Sequence, residues 1–174
     1  MRRLLLALAM LAPPAIAEGQ PPRIRVGVPG FPQPLSIDSL ASVFDIDAPK
    51  GAIFAASAAV LEELKIPVDS RDSVSGIIGN AHLVRMRNLA GKPMSRLLNC
   101  GSGMTGPNAE SWRIHIAVFA LVEGKGSEKS VLRVGFVAGA QDIAGSSKDP
   151  VACGTTGIFE SMFADRVKKR LALP

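Results

Sequence analysis

The 174-residue chain has no tyrosine, one tryptophan, two histidines and two cysteines. It has no run of Arg or Lys interleaved with aromatic side chains, a pattern typical of proteins that bind nucleic acids. Its His and Cys residues are too few and too widely spaced for a zinc site. The Gly-x-Ser-x-Gly and Ser-x-x-Lys motifs of serine hydrolases are also absent. We therefore expect no nucleic-acid partner, no metal and no other cofactor, and we assign no catalytic residue.

The chain also lacks a long hydrophobic segment, since no run reaches about 18 consecutive apolar residues. With 47% hydrophobic and 20% charged residues, the composition is typical of one soluble globular domain. The formal net charge is +5. It falls to near +3 if Arg2 and Arg3 are removed with a leader, because 18 basic and 15 acidic residues then remain. This mild basicity does not indicate a polyanion-binding protein.

The N-terminal residues have the three parts of a secretory signal peptide. Arg2 and Arg3 form the charged part, Leu4–Ala12 is apolar, and Ala15–Ala17 is a small-x-small cleavage site. The apolar run would span about 13 Å as a helix, too short for a ~30 Å hydrocarbon core. No Cys follows Ala17, so lipid attachment is not expected. We predict a general secretory signal at residues 1–17, and a periplasmic or secreted protein without a stable membrane anchor.

Cys100 and Cys153 are an even pair in a protein predicted to enter an oxidising compartment, which favours a disulfide between them. Such a bond closes a loop of about 50 residues and contributes about 4 kcal/mol in the chain-entropy model. The alternative is a reactive Cys100 that works with His82 or His115 as a base.

Proline density and hydrophobic periodicity divide the rest of the chain. Residues 18–41 are rich in proline, which opposes helices and central strands, so they predict an extended arm. Residues 42–174 predict a single α+β domain. The first predicted elements are a strand at 42–46 and a helix at 52–65, which follows an N-terminal capping segment at 47–49. Two strands, at 66–69 and 76–86, come next across a turn at 70–75, and the loop 91–106 contains a short helix at 93–98. The last elements are strands at 112–122 and 131–141 and a helix capped by Thr155 or Thr156.

This order predicts an antiparallel sheet of about four to five strands, with two main helices packed on one face and one disulfide. The strands at 112–122 and 131–141 alternate apolar and polar residues and form a hairpin. In the last helix Phe159, Phe163 and Val167 recur every fourth residue and predict a buried face. The disulfide is expected to tie the loop before the hairpin to the start of that helix.

The segment Gly101–Gly106 matches G-x-G-x-x-G, the dinucleotide-binding fingerprint. That motif needs a strand before it and a helix after it, whereas here a loop precedes it and a strand follows. A Gly-rich loop beside a disulfide is the simpler interpretation. Because rigid loops often bind partners, we predict a partner-contact loop in this region. Its candidate residues are Asn99, Ser102, Met104, Thr105 and Asn108.

Other polar residues have ordinary structural interpretations. Asp69 and Asp72 flank a predicted turn, and Trp112 lies on the apolar face of a strand. His115 lies on the polar face of that strand, and is the centre of the alternative functional hypothesis, a hydrolase with a non-contiguous active site.

A basic cluster near the C-terminus falls in the last turns of a predicted helix, where the helix dipole favours cations over anions. A polyanion or membrane patch is the alternative. The cluster consists of Arg166, Lys168, Lys169 and Arg170.

The segments GKPMSRLLNC, NCGSGMTGPNAESWRI and VACGTTGIFE carry a resemblance. From about Ile53 to Leu171 the chain resembles an uncharacterised family of bacterial secreted or periplasmic proteins. It is more loosely similar to helix-grip-like domains of envelope lipoproteins, such as the lipoprotein subunit of the outer-membrane barrel-assembly machine. That similarity implies a helix against an antiparallel sheet and a role in protein–protein contact. We therefore expect a non-enzymatic protein that binds an envelope protein partner or ligand.

Overall fold

The computed structural model describes residues 23–104, 106–145, 147 and 149–172, so the predicted signal peptide lies outside the described residues. The elements in chain order are β1 (Arg25–Val26), β2 (Leu35–Ser36), α1 (Ile37–Leu40), β3 (Ser42–Ile46), α2 (Lys50–Glu63), β4 (Ser70–Asp72), β5 (Ile77–Arg85), β6 (Asn88–Leu89), β7 (Lys92–Pro93), α3 (Met94–Leu97), β8 (Leu98–Asn99), β9 (Ser102–Gly103), β10 (Gly106–Pro107), α4 (Asn108–Ser111), β11 (Arg113–Gly124), β12 (Ser130–Gln141), β13 (Val151–Thr155) and α5 (Ile158–Arg170).

A seven-stranded sheet forms the centre of the protein, and its neighbouring strands are antiparallel. Six strands are paired side by side in the order β4-β5-β11-β12-β13-β8, and the seventh, β3, pairs with β12. Strands β11 and β12 are paired from Arg113↔Gln141 to Gly124↔Ser130. The other edge of β12 is shared, because β3 pairs with Ser130–Val134 and β13 pairs with Ala138–Ala140. The long hairpin therefore carries the rest of the sheet.

The main hydrophobic core contains buried residues of the sheet together with buried residues of α2 and α5. Alternate residues of the hairpin point into it, as the period-two pattern requires. The buried residues of α5 recur every fourth position, and Phe159 stacks on Phe136 of β12 with ring centroids 4.3 Å apart. Members of this core include Ile53, Val60 and Leu61 of α2, Ile114, Ile116 and Val118 of β11, Val134 and Phe136 of β12, and Phe159, Phe163 and Val167 of α5.

No helix in the described part of the chain is both long and apolar enough to cross a membrane.

The opposite face of the hairpin is covered by residues of the Pro-rich arm. A second buried cluster joins Val26, Val28 and Ile37 to Ala117, Phe119, Leu121 and Val137. Two glycines of β12 permit this close approach. A Cβ at Gly139 would overlap the carbonyl of Pro29, and a Cβ at Gly135 would overlap the side chain of Ile37. The described arm is thus a covering layer of the sheet.

The antiparallel α+β architecture and the Cys100–Cys153 disulfide are confirmed. The strand at 42–46 and the hairpin are also confirmed, together with helices at the positions predicted for the two main helices and for the short helix near Pro93. These elements have strong apolar periodicity or clear breakers at their ends.

Four predictions about the fold are wrong. The sheet has seven strands rather than four to five, because the short strands β8 and β13, which were not predicted, extend it. The strand predicted at 66–69 is instead β4, Ser70–Asp72, which pairs with Ile77–Gly79. Cys153 lies within β13 rather than at the start of the last helix. That helix follows Gly157, whose φ of 79° only glycine adopts readily, rather than a Thr cap.

Candidate functional site

The disulfide joins two neighbouring strands at the edge of the sheet. Cys153 lies in β13, and Cys100 follows β8, which pairs with β13 through Gly154↔Asn99. The two Cα atoms are 4.2 Å apart. Both side chains are buried among core residues. Because both sulfur atoms are consumed in the bond, neither serves as a nucleophile in this state.

The loop after Cys100 is fixed at its base. The side-chain amide of Asn108 donates to the carbonyl of Cys100 at 3.0 Å, and the Asn108 backbone N–H donates to the carbonyl of Gly101, also at 3.0 Å. Asn99 accepts a bond from the Gly101 N–H through its side chain at 3.1 Å. Asn108 is 9% exposed, so its side-chain bond to Cys100 is shielded from water. Together with the disulfide they hold both ends of the loop.

The residues of β9 and the one that follows, Ser102 to Met104, are exposed. Strands β9 and β10 form a two-residue ladder, Gly103↔Gly106 and Ser102↔Pro107, and Ser102 and Met104 face solvent. Met104 is 107% exposed, the largest value among the exposed large hydrophobic residues of the described chain. Thr105 lies outside the described residues.

The same loop does not have the geometry of a dinucleotide site. Such a site places a pyrophosphate at the N-terminus of a helix that directly follows the glycines. Here the glycines lie in and beside β9 and β10, and the following helix α4 is a single turn of four residues.

In the described residues, the rings of the two histidines contact Asp69 and Gln141 rather than residues of the loop. The ring of His82 contacts Asp69 at 3.4 Å and its side chain is 86% exposed. The ring of His115 contacts the side chain of Gln141 at 3.3 Å. In the described residues neither ring is hydrogen-bonded to a Ser, Thr or Cys, so no nucleophile is paired with a histidine base there.

Comparison with models of protein families, with curated proteins and with solved structures found no match for this chain. The resemblance to secreted bacterial proteins and to helix-grip-like lipoprotein domains therefore stays a prediction. Within the described residues, no group of three or more His, Cys, Asp or Glu side chains is placed to hold a metal ion.

The aspartates of the predicted turn act as local hydrogen-bond acceptors. Asp72 accepts from the backbone N–H groups of Val74 at 2.9 Å and Ser75 at 3.1 Å. Hydrogen bonds from Ser75, first from its side chain and then from its backbone, hold the pKa of Asp72 below its ordinary value. Asp69 accepts from the backbone N–H of Ala81 at 3.0 Å. Trp112 is half-buried against the main core.

Two basic residues of α5, Arg166 and Arg170, take part in an ion-pair network that the sequence alone did not reveal. Glu63, at the end of α2, accepts hydrogen bonds from Arg166 and, at 3.3 Å, from Arg170. Beside these residues a groove runs along α5. It is also bordered by Lys92, which precedes Arg166 by more than 70 residues in the sequence. The sequence contains one sign of this surface. Ile158, Met162 and Arg166 are spaced four residues apart, so their side chains lie on one side of α5.

Proposed function

We propose that this is a non-enzymatic protein of the cell envelope that binds a protein partner through the loop around Met104. The observation that carries the proposal is the placement of a fully exposed methionine on a loop whose base is clamped. The clamp consists of the Cys100–Cys153 bond and the buried side chain of Asn108.

Energetics support a contact role for the tip. Burying a Met side chain in a partner gains roughly 1.5–3 kcal/mol relative to leaving it in water. The clamped base reduces the conformational entropy that the loop loses on binding, so more of this gain appears as affinity. A methionine side chain is also flexible and polarisable, and it fits pockets of different shape.

Two features support an envelope location. The predicted signal peptide with cleavage after Ala17 directs the chain to the periplasm or to secretion, and a buried disulfide is typical of proteins in oxidising compartments. The proposed packing of two main helices on one face, as in helix-grip-like domains, agrees with a binding role. The hydrolase alternative around His115 has no supporting contact in the described residues, because its ring partner is Gln141.

Site-specific photo-crosslinking tests the proposal. A photoreactive amino acid is placed at residue 104 and, as a matched control, at Val74, another hydrophobic residue that is 86% exposed. In intact envelopes we expect discrete adducts from residue 104 and none of the same size from residue 74. Identical adducts from both positions, or none from residue 104, would overturn the proposal. The variant Met104→Ser should also lower recovery of the captured partner at least fivefold without changing the unfolding midpoint.

A further inference from the structure

A groove of about 570 Å³ runs along the solvent side of α5. The part of its lining that lies on α5 runs from Ile158 to Lys169, a distance of about 16 Å along a helix that rises 1.5 Å per residue. Lys92 of β7 lies on its other wall. Ile158, 39% exposed, and Met162 supply apolar surface between the charged residues.

Two further depressions adjoin this groove and share Arg166 with it. One, of about 360 Å³, lies against Lys65 and Arg85. The other, of about 610 Å³, lies between the ends of α2 and α5 and is lined by Glu63 and Arg170 as well. We call the three depressions together the α5 groove. Its charged lining consists of six basic residues, Lys65, Arg85, Lys92, Arg166, Lys169 and Arg170, and two acidic residues, Glu63 and Asp165.

The charge of the α5 groove is therefore +4 by this count. The whole chain would carry only about +3 after loss of the predicted signal peptide, since 18 basic and 15 acidic residues remain. The rest of the protein is thus close to neutral. The positive charge is concentrated on the surface where the depressions occur, and such concentration in a cleft attracts anionic partners.

Several of these cations have no ionic partner of their own. Glu63 is engaged by Arg166 and Arg170, and Arg85 donates to the carbonyls of Val84 and Lys65. In the described residues, the ammonium groups of Lys65, Lys92 and Lys169 make no hydrogen bond or ion pair. They are available to an external carboxylate.

We propose that the α5 groove binds an extended, acidic peptide segment of a protein partner. Its length along α5 matches about five extended residues at roughly 3.3 Å each. Ile158 and Met162 lie among the cations, so a segment that alternates acidic and apolar residues complements both kinds of surface. The cations come from β5, β7 and α5 and from Lys65 just after α2, so several parts of the chain contribute positive charge to the same surface. This surface is separate from the Met104 loop, and the proposal does not depend on that loop.

The first test measures direct binding to the full mature protein. The probe is a fluorescent octapeptide of alternating Glu and Leu, followed by fluorescence anisotropy at 150 mM salt. The control peptides replace Glu by Lys, or place all Glu residues before all Leu residues. We expect saturable binding of the alternating acidic peptide, at least tenfold tighter than either control. Equal binding of the block peptide would overturn the alternating register, and no binding of any acidic peptide would overturn the proposal.

A pair of matched double variants locates the site. Lys92→Glu with Lys169→Glu should weaken peptide binding at least tenfold. Lys125→Glu with Lys129→Glu makes the same change in net charge in the exposed β11–β12 loop and should weaken it less than threefold. Equal loss in both variants would show a response to net charge alone and contradict the assignment. Circular dichroism and thermal unfolding establish that both variants are folded.

Two more arms separate the competing explanations. The protein should not co-sediment with vesicles that contain 30% phosphatidylglycerol at 150 mM salt. If the vesicles bind, and only the groove variant abolishes that binding, the surface is a lipid site and the peptide proposal is wrong. Met104→Ser should leave peptide affinity unchanged, so failure of the loop proposal and failure of the groove proposal give different results.

Discussion

At the scale of single residues, the Cys100–Cys153 bond links positions 53 residues apart. In the chain-entropy model, a link of this length raises the free energy of the unfolded chain by about 4 kcal/mol, because it reduces the conformational entropy of that chain. Replacing both residues with Ala is expected to lower the free energy of unfolding by about that amount, measured by urea denaturation with Trp112 fluorescence. The native protein in dithiothreitol serves as the control and should lose a similar amount. A variant within 1 kcal/mol of the native protein would contradict the expectation.

Asp72 gives a prediction about pH. Hydrogen bonds from Ser75 and Val74 stabilise its carboxylate, and Lys50 adds a favourable charge interaction, so its pKa in the folded protein is below that in the unfolded chain. The group therefore stabilises the fold above its unfolded pKa of about 3.9, and the contribution is lost as pH falls through the folded pKa. NMR titration should give a midpoint for Asp72 below that of an unfolded peptide. Ser75→Ala should move the midpoint upward, and an unchanged midpoint would contradict this account.

At the scale of elements, the close contact between the arm and β12 depends on glycine. A Cβ at Gly139 would overlap the carbonyl oxygen of Pro29, whereas a Cβ at Gly154 of β13 would meet no atom within 4 Å. We expect Gly139→Ala to lower the free energy of unfolding by about 1–3 kcal/mol because the backbone of the arm has to shift. Gly154→Ala should change it by less than about 0.5 kcal/mol. Equal effects in chemical denaturation would show that crowding against Pro29 is not the cause.

The elements that could be predicted from sequence are those with a long apolar period. The β11–β12 hairpin is paired over 12 positions and its residues in the main core recur at every second position, and α5 repeats Phe159, Phe163 and Val167. Strand β13 was missed because it contains Gly154 and its neighbour β8 has only two residues. Short edge strands depend on tertiary pairing, which leaves little signal in local composition.

The covering role of the arm was also missed, although β11 contains a sign of it. Phe119 and Leu121 lie on the face opposite the main core, and a half-exposed strand would place polar residues there. The loop residues Asn99 and Asn108 were identified as candidates from composition. Their hydrogen bonds to Gly101 and Cys100 depend on how the chain turns, which sequence spacing does not determine.

At the scale of the whole molecule, β13 connects both proposed binding surfaces to the sheet. Cys153 holds the start of the Met104 loop through the disulfide. Just after the strand, Thr156 donates to the carbonyl of Arg96 at 2.8 Å and so ties the segment before α5 to α3. Thr155 donates to Glu160 in the first turn of α5 at 2.7 Å. One short strand thus positions the loop and the helix that lines the groove.

The three layers of the protein should unfold together, and the arm offers the clearest test. Val28 is 5% exposed and packs on the sheet face with Ala117 and Phe119. Val28→Asp places an unpaired charge there and should lower the free energy of unfolding by more than about 3 kcal/mol, with increased binding of the dye ANS. Val74→Asp, at a position 86% exposed, is the matched control and should change neither quantity. If the arm were only a local covering, Val28→Asp would raise hydrogen exchange in residues 23–40 and leave the global unfolding free energy unchanged. We expect loss of global stability instead, because Val28, Ile37 and the inner strands share one buried cluster.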